Sequence, residues 1–79
     1  MYYEIHGISD CPACLRAQAI LMQKDLEYVF INADFSKHYR TSVREELFWA
    51  TFPIIVLVGE QKRQIIGGYD ELLVHIEGL

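Results

Sequence analysis

The chain has 79 residues, 52% of them hydrophobic, with seven Lys and Arg against eleven Asp and Glu for a formal net charge of −4. That length allows one domain over residues 1–79, and the acidic balance excludes the clustered Lys and Arg of a nucleic-acid footprint. The longest apolar run, Ile54-Ile55-Val56-Leu57-Val58, falls far short of the roughly 20 residues that cross a bilayer.

Residues Tyr2 to His6 alternate apolar and polar side chains and predict a first strand that ends at Gly7. Ser9, Asp10 and Cys11 precede Pro12, and Pro suits the first position of a helix because its missing N–H would lack a partner there. Good helix formers continue to about Lys24. Cys14, Ala17, Ile20 and Leu21 fall on one face of that helix and predict its contact with a sheet. Tyr28-Val29-Phe30-Ile31 is rich in strand formers. Ser42 followed by Glu45 fits a capping box and starts a short second helix near Val43, with an earlier start left open in the polar stretch from Ser36. Thr51-Phe52-Pro53 breaks it. Ile54 to Val58 reads as a central strand buried on both faces. Gly59 to Lys62 turns the chain into a shorter strand around Gln64-Ile65-Ile66, which Gly67-Gly68 ends. Asp70 then caps a last helix reaching Glu77. The order β-α-β-α-β-β-α implies an α/β fold, a mixed sheet with helices on both faces.

The two cysteines, Cys11 and Cys14, enclose a four-residue loop, and a bond between them removes only about 2 kcal/mol of chain entropy. As a staple this is weak, so chemistry is the more natural purpose. Met1 to His6 lacks the basic and apolar regions of a secretory signal. The expected compartment is therefore a reducing cytoplasm, where a free dithiol serves catalysis or metal binding. A Cys-x-x-Cys opening the helix after a first strand reads as a thioredoxin-like redox motif. Cys11 falls at the N-cap, where unpaired N–H groups and the helix dipole favour its thiolate, the nucleophilic form. Asp10 opposes this, since a neighbouring carboxylate disfavours a second negative charge. Cys14, one turn later, is placed to resolve a mixed disulfide. The competing reading is half of a zinc site completed by His6 and His38, but structural zinc wants four ligands, usually from two knuckles, and no metal is expected.

Three segments together resemble the glutaredoxin family. Cys11-Pro12-Ala13-Cys14 with Ala17 resembles its Cys-Pro-Tyr-Cys helix, Thr51-Phe52-Pro53 its Thr-Val-Pro, and Gly67-Gly68-Tyr69-Asp70-Glu71-Leu72 its Gly-Gly-x-x-Asp-Leu. The resemblance implies a thioredoxin fold with sheet order 2-1-3-4 and the third strand antiparallel to the rest. It also implies a cis Pro53 that offers the backbone of Phe52 beside Cys11. Glutathione is the implied co-substrate. Thr51, Phe52, Pro53, Gly68, the Tyr69 backbone and the Asp70 side chain would bind it, and Arg44 would approach its glycine carboxylate. Implied partners are disulfide-containing or glutathionylated proteins, ribonucleotide reductase among them, met by a monomer in the cytoplasm, a host's if the chain is phage-encoded.

The departures define two rivals. Ile8 stands where the family commonly has Lys, and Ala13 replaces the usual Tyr. The missing Lys favours a ribonucleotide-reductase redoxin reduced by thioredoxin reductase. A scaffold for a glutathione-ligated [2Fe–2S] cluster is the other rival, and Pro12 argues against it. Phe48 and Trp49 fill a stretch that is shorter than in common bacterial members, and core packing is the expected role for both, the alternative being that one of them, with Phe52, rims the active site and contacts a protein partner.

Overall fold

In the computed structural model, which describes all 79 residues, strand β1 (Tyr2–Gly7) leads into helix α1 (Pro12–Gln23) and strand β2 (Tyr28–Asn32). Helix α2 (Lys37–Leu47), strands β3 (Ile54–Val58) and β4 (Arg63–Gly67), and helix α3 (Tyr69–Glu77) follow. The four strands form one sheet in the order β2-β1-β3-β4. β1 runs parallel to β2 and antiparallel to β3, with Ile5 opposite Phe30 on one side and Ile55 on the other. β4 pairs antiparallel with β3, and a register shift between Ile55 and Val56 leaves Ile66 as the extra residue of a bulge.

Side chains alternate across a strand, so the inner strands feed two cores. Tyr3, Ile5 and Ile55 pack with Ala17 and Leu21 of α1 and Leu72 of α3 on one face. Ile54 and Val56 pack with Val43 and Leu47 of α2 on the other. Ile54, Ile55 and Val56 are wholly buried, and each such side chain contributes about 1.5–3 kcal/mol relative to exposure. This confirms the thioredoxin-type arrangement, with helices on both faces and the chain-reversing strand in the centre.

The second helix takes the earlier of its possible starts, and the last helix begins ahead of its expected cap. α2 starts at Lys37, where the Ser36 hydroxyl accepts the N–H of Tyr39 at 3.1 Å, and Ser42 lies inside the helix. Ser36 and Ser42 both suit a cap. The stripe Tyr39, Val43, Leu47, spaced four apart along one helix face, decides between them, since its full length meets the sheet. α3 is capped by Gly68 rather than Asp70. The Glu71 carboxylate accepts the Gly68 N–H at 2.9 Å, which fixes the helix start and leaves Asp70 in the first turn. His6, which the zinc reading enlists, is buried on the α2 face. Its Nδ1 meets the Tyr39 hydroxyl at 3.2 Å and its Nε2 meets Glu4 at 3.3 Å, so it is not turned toward Cys11 or Cys14.

Candidate active site

The segment from Gly7 to Cys11 turns sharply out of β1 into α1. Gly7 allows it, since a β-carbon there would lie 2.6 Å from the Phe30 ring and 3.1 Å from the Cys14 sulfur. Asp10 takes the left-handed conformation, φ 52°, which Asp tolerates better than most residues. The Ser9 N–H donates to Asp34 at 2.7 Å, and the Asp34 N–H donates to the Asn32 side chain at 2.8 Å. The bonds from Ser9, followed by the Arg40 charge, hold the Asp34 carboxyl below the usual carboxylate range. Arg40 also reaches the Asp34 backbone carbonyl at 3.3 Å. The redox loop is thereby tied to the start of the connection between β2 and α2.

Cys11 is the N-cap of α1, in extended conformation, with Pro12 first in the helix. Its sulfur accepts the Cys14 N–H at 3.1 Å, so one orphan donor of the helix end is satisfied by sulfur. The two residues form a disulfide with their Cα atoms 5.3 Å apart. Cys11 is half-buried, whereas Cys14 retains 1% exposure. Only one sulfur of the pair is open to an external reagent.

A groove of about 390 Å³ extends from Ala13, between the two cysteines. Ala13 and Arg16 of α1 form one side, and Thr51, Phe52 and Pro53 enter from the segment ahead of β3. Gly68, Tyr69, Asp70 and Glu71 close it at the start of α3. The Phe52–Pro53 peptide bond is cis. Gly67 has φ +121°, and a β-carbon on it would lie 2.9 Å from the Trp49 indole and 3.0 Å from the Glu71 side chain. Trp49 therefore lies closely over the Gly67-Gly68 corner and lines the groove.

Of the residues singled out from sequence, Thr51, Phe52, Pro53, Gly68, Tyr69 and Asp70 share this groove. Arg44 does not line it. Its guanidinium stands 5.9 Å from the Phe52 ring centroid. Arg16 and Glu71 line it without having been anticipated, and of the two aromatics weighed for the rim it is Trp49 that lines it with Phe52. Arg16 was legible in principle, since it follows Ala13 by three positions on the same helical face. The expectation that Phe48 and Trp49 both pack the core holds only for Trp49, because Phe48 is 89% exposed. Phe48 closes α2 in the left-handed conformation, φ 53° and ψ 43°, which costs a residue with a β-carbon roughly 1–2 kcal/mol.

A larger depression of about 590 Å³ lies under the β3–β4 hairpin, lined by Met1, Leu57 and residues 59–64, at the far end of β3 from the cysteines. It contains none of the groups above. No cluster of three or more His, Cys, Asp or Glu side chains is arranged to hold a metal, and no helix is long and apolar enough to cross a membrane.

Comparison with known proteins agrees with this geometry. The family model described as Glutaredoxin matches residues 1–61. A solution structure of glutaredoxin from Brucella melitensis superposes with a TM-score of 0.78 at 29% identity, covering 99% of this chain and 80% of that one. Reduced Escherichia coli glutaredoxin gives 0.75 at 25% identity, covering 99% and 95%. A buckwheat glutaredoxin–glutathione complex shares the fold, with a TM-score of 0.78 at 20% identity over 96% and 69% of the two chains. The search of curated proteins gives no match.

Proposed function

The chain belongs to the glutaredoxin family, whose members are thiol–disulfide oxidoreductases, and we propose that it is a dithiol member using glutathione to reduce protein disulfides and glutathionylated proteins. The observation that carries this reading is the asymmetry of the pair. Cys11 is open at a helix N-cap with its sulfur accepting a backbone N–H, and Cys14 is buried behind it.

In the proposed cycle the Cys11 thiolate attacks one sulfur of a client disulfide and expels the other as a thiolate, which takes up a proton. The Cys14 thiolate then attacks the Cys11 sulfur. The reduced client leaves, and Cys11–Cys14 is oxidised. One glutathione thiolate reopens that bond at Cys11, and a second removes the first as oxidised glutathione. Two glutathiones thus become one disulfide for each client disulfide reduced. A glutathionylated client is released by the first attack, at its glutathione sulfur, and a free glutathione thiolate then clears the Cys11–glutathione bond as oxidised glutathione.

Glutathione would lie extended along the groove. The backbone of Phe52 ahead of Pro53 would pair with its cysteinyl unit, beside Thr51. Gly68, the Tyr69 N–H and Asp70 would hold its γ-glutamyl end at the start of α3, where N–H groups lack intrahelical partners. Arg44 would meet the glycine carboxylate from above Phe52. Ribonucleotide reductase is a client we carry over from the resemblance, in the cytoplasm, with the chain acting as a single-domain monomer. Ile8 specifically favours a second reading, in which thioredoxin reductase is the reductant, because no lysine ammonium stands on that side of Cys11.

Hydroxyethyl disulfide reduction should proceed with glutathione and glutathione reductase, and not with thioredoxin reductase alone. Turnover only in the second arm overturns the glutathione reading. Cys11→Ser should abolish turnover in every assay. Cys14→Ser should retain deglutathionylation and lose the reduction of protein disulfides.

A further inference from the structure

Phe48 is the most exposed of the large apolar side chains, and nothing within the fold accounts for it. Its left-handed backbone is one that glycine takes freely. Closure of α2 there uses backbone groups alone, the Phe48 N–H donating to the Glu45 carbonyl and the Trp49 N–H to the Arg44 carbonyl. Helix termination therefore asks for no side chain, and both conformation and solvation disfavour a phenyl ring. Its position is specific. Phe48 follows Arg44 by one helical turn, and the Arg44 guanidinium stands over the groove residue Phe52. The next residue, Trp49, is itself a groove wall.

We propose that Phe48 is a client-docking residue, which takes up an apolar side chain flanking the reactive cysteine of an extended protein segment laid across the groove. The occupant follows from continuity, since a client sulfur bonded to Cys11 carries its neighbouring residues along the groove rim. A second copy of this chain fits poorly, because exposed Glu45 and Glu46 adjoin Phe48 and would oppose their own counterparts. This inference rests on the oxidoreductase reading above and deepens it from reaction to client choice.

The test uses the intact protein, glutathione and glutathione reductase, and two synthetic peptides, each a symmetrical disulfide-linked dimer, identical except for Phe or Ser beside the cysteine. The wild type should show kcat/KM about five- to tenfold higher for the Phe peptide. Phe48→Gly and Phe48→Ser should erase that preference, and Phe48→Tyr should keep it. Hydroxyethyl disulfide turnover should be unchanged in all three, and Phe48→Gly should not lower the thermal midpoint. An unchanged peptide preference in Phe48→Gly overturns the proposal. So does a concentration-dependent dimer in the wild type that Phe48→Gly abolishes. Absence of hydroxyethyl disulfide turnover in the wild type would instead overturn the oxidoreductase reading itself.

Discussion

Asp34 accepts the Ser9 N–H two residues ahead of Cys11, and its carboxyl is held below its ordinary range chiefly by those bonds. The folded state thus favours the ionised form, so the tether contributes above the unfolded carboxyl value near 3.8 and is lost as pH falls through the lower folded one. Amide exchange at Ser9, measured from pH 6 downward, should be slow until that acid limb and then accelerate. In Asp34→Ala the exchange should be fast throughout. Gly67 sets a second constraint at this scale. With φ +121° and Trp49 and Glu71 within about 3 Å of a β-carbon, Gly67→Ala should cost about 2–4 kcal/mol in a urea titration. Trp49 is the single tryptophan of the chain and lines the groove, so glutathione binding to the Cys11→Ser protein should shift its emission to the blue. Sequence made the cysteines legible because their chemistry is local to four residues. It left open which of Phe48 and Trp49 would reach the groove, because that choice depends on Gly67, distant in the chain and brought close only by the β3–β4 pairing.

The elements hold the two faces of the sheet through tyrosines whose hydroxyls are placed by helices. Tyr3 on β1 bonds His75 of α3 at 2.9 Å, and Tyr39 of α2 bonds His6 of β1 at 3.2 Å. Burial raises both phenols, and the Glu4 and Glu46 charges raise Tyr39 further. Their neutral forms therefore support the fold fully below the ordinary value near 10, and that support is lost as pH climbs through the raised folded values. Among five tyrosines, these two should ionise late in an absorbance titration, together with the loss of helical circular dichroism. Simultaneous titration of all five, with the fold intact, would contradict this. Element order was readable from apolar periodicity, and the starts of α2 and α3 were not. Several residues in each region satisfied the local capping rules, and the choice fell to contacts with a sheet that no local window contains.

The whole molecule depends on its two cores rather than on its cross-link. Opening the Cys11–Cys14 bond frees a four-residue loop and should lower stability by no more than about 2 kcal/mol. Leu72→Ala, at a fully buried position that α3 brings to β1 and α1, should cost more, about 2–5 kcal/mol. Chemical denaturation of the reduced, oxidised and mutant proteins would rank the three, and the oxidised and reduced forms should both remain folded. The proposed cycle needs that independence, because the bond forms and opens with each protein disulfide reduced. The bulge at Ile66 divides the β3–β4 hairpin in a similar way. Toward the tip, residues 59–62 meet only solvent and the shallow depression beneath them, whereas beyond the bulge Gly67 is fixed against Trp49. The bulge thus separates the hairpin tip from the end packed against Trp49. A peptide tag inserted after Gln61 should thus leave the groove unaltered, which makes the hairpin tip the natural handle for immobilising this protein on a surface with its redox pair facing outward.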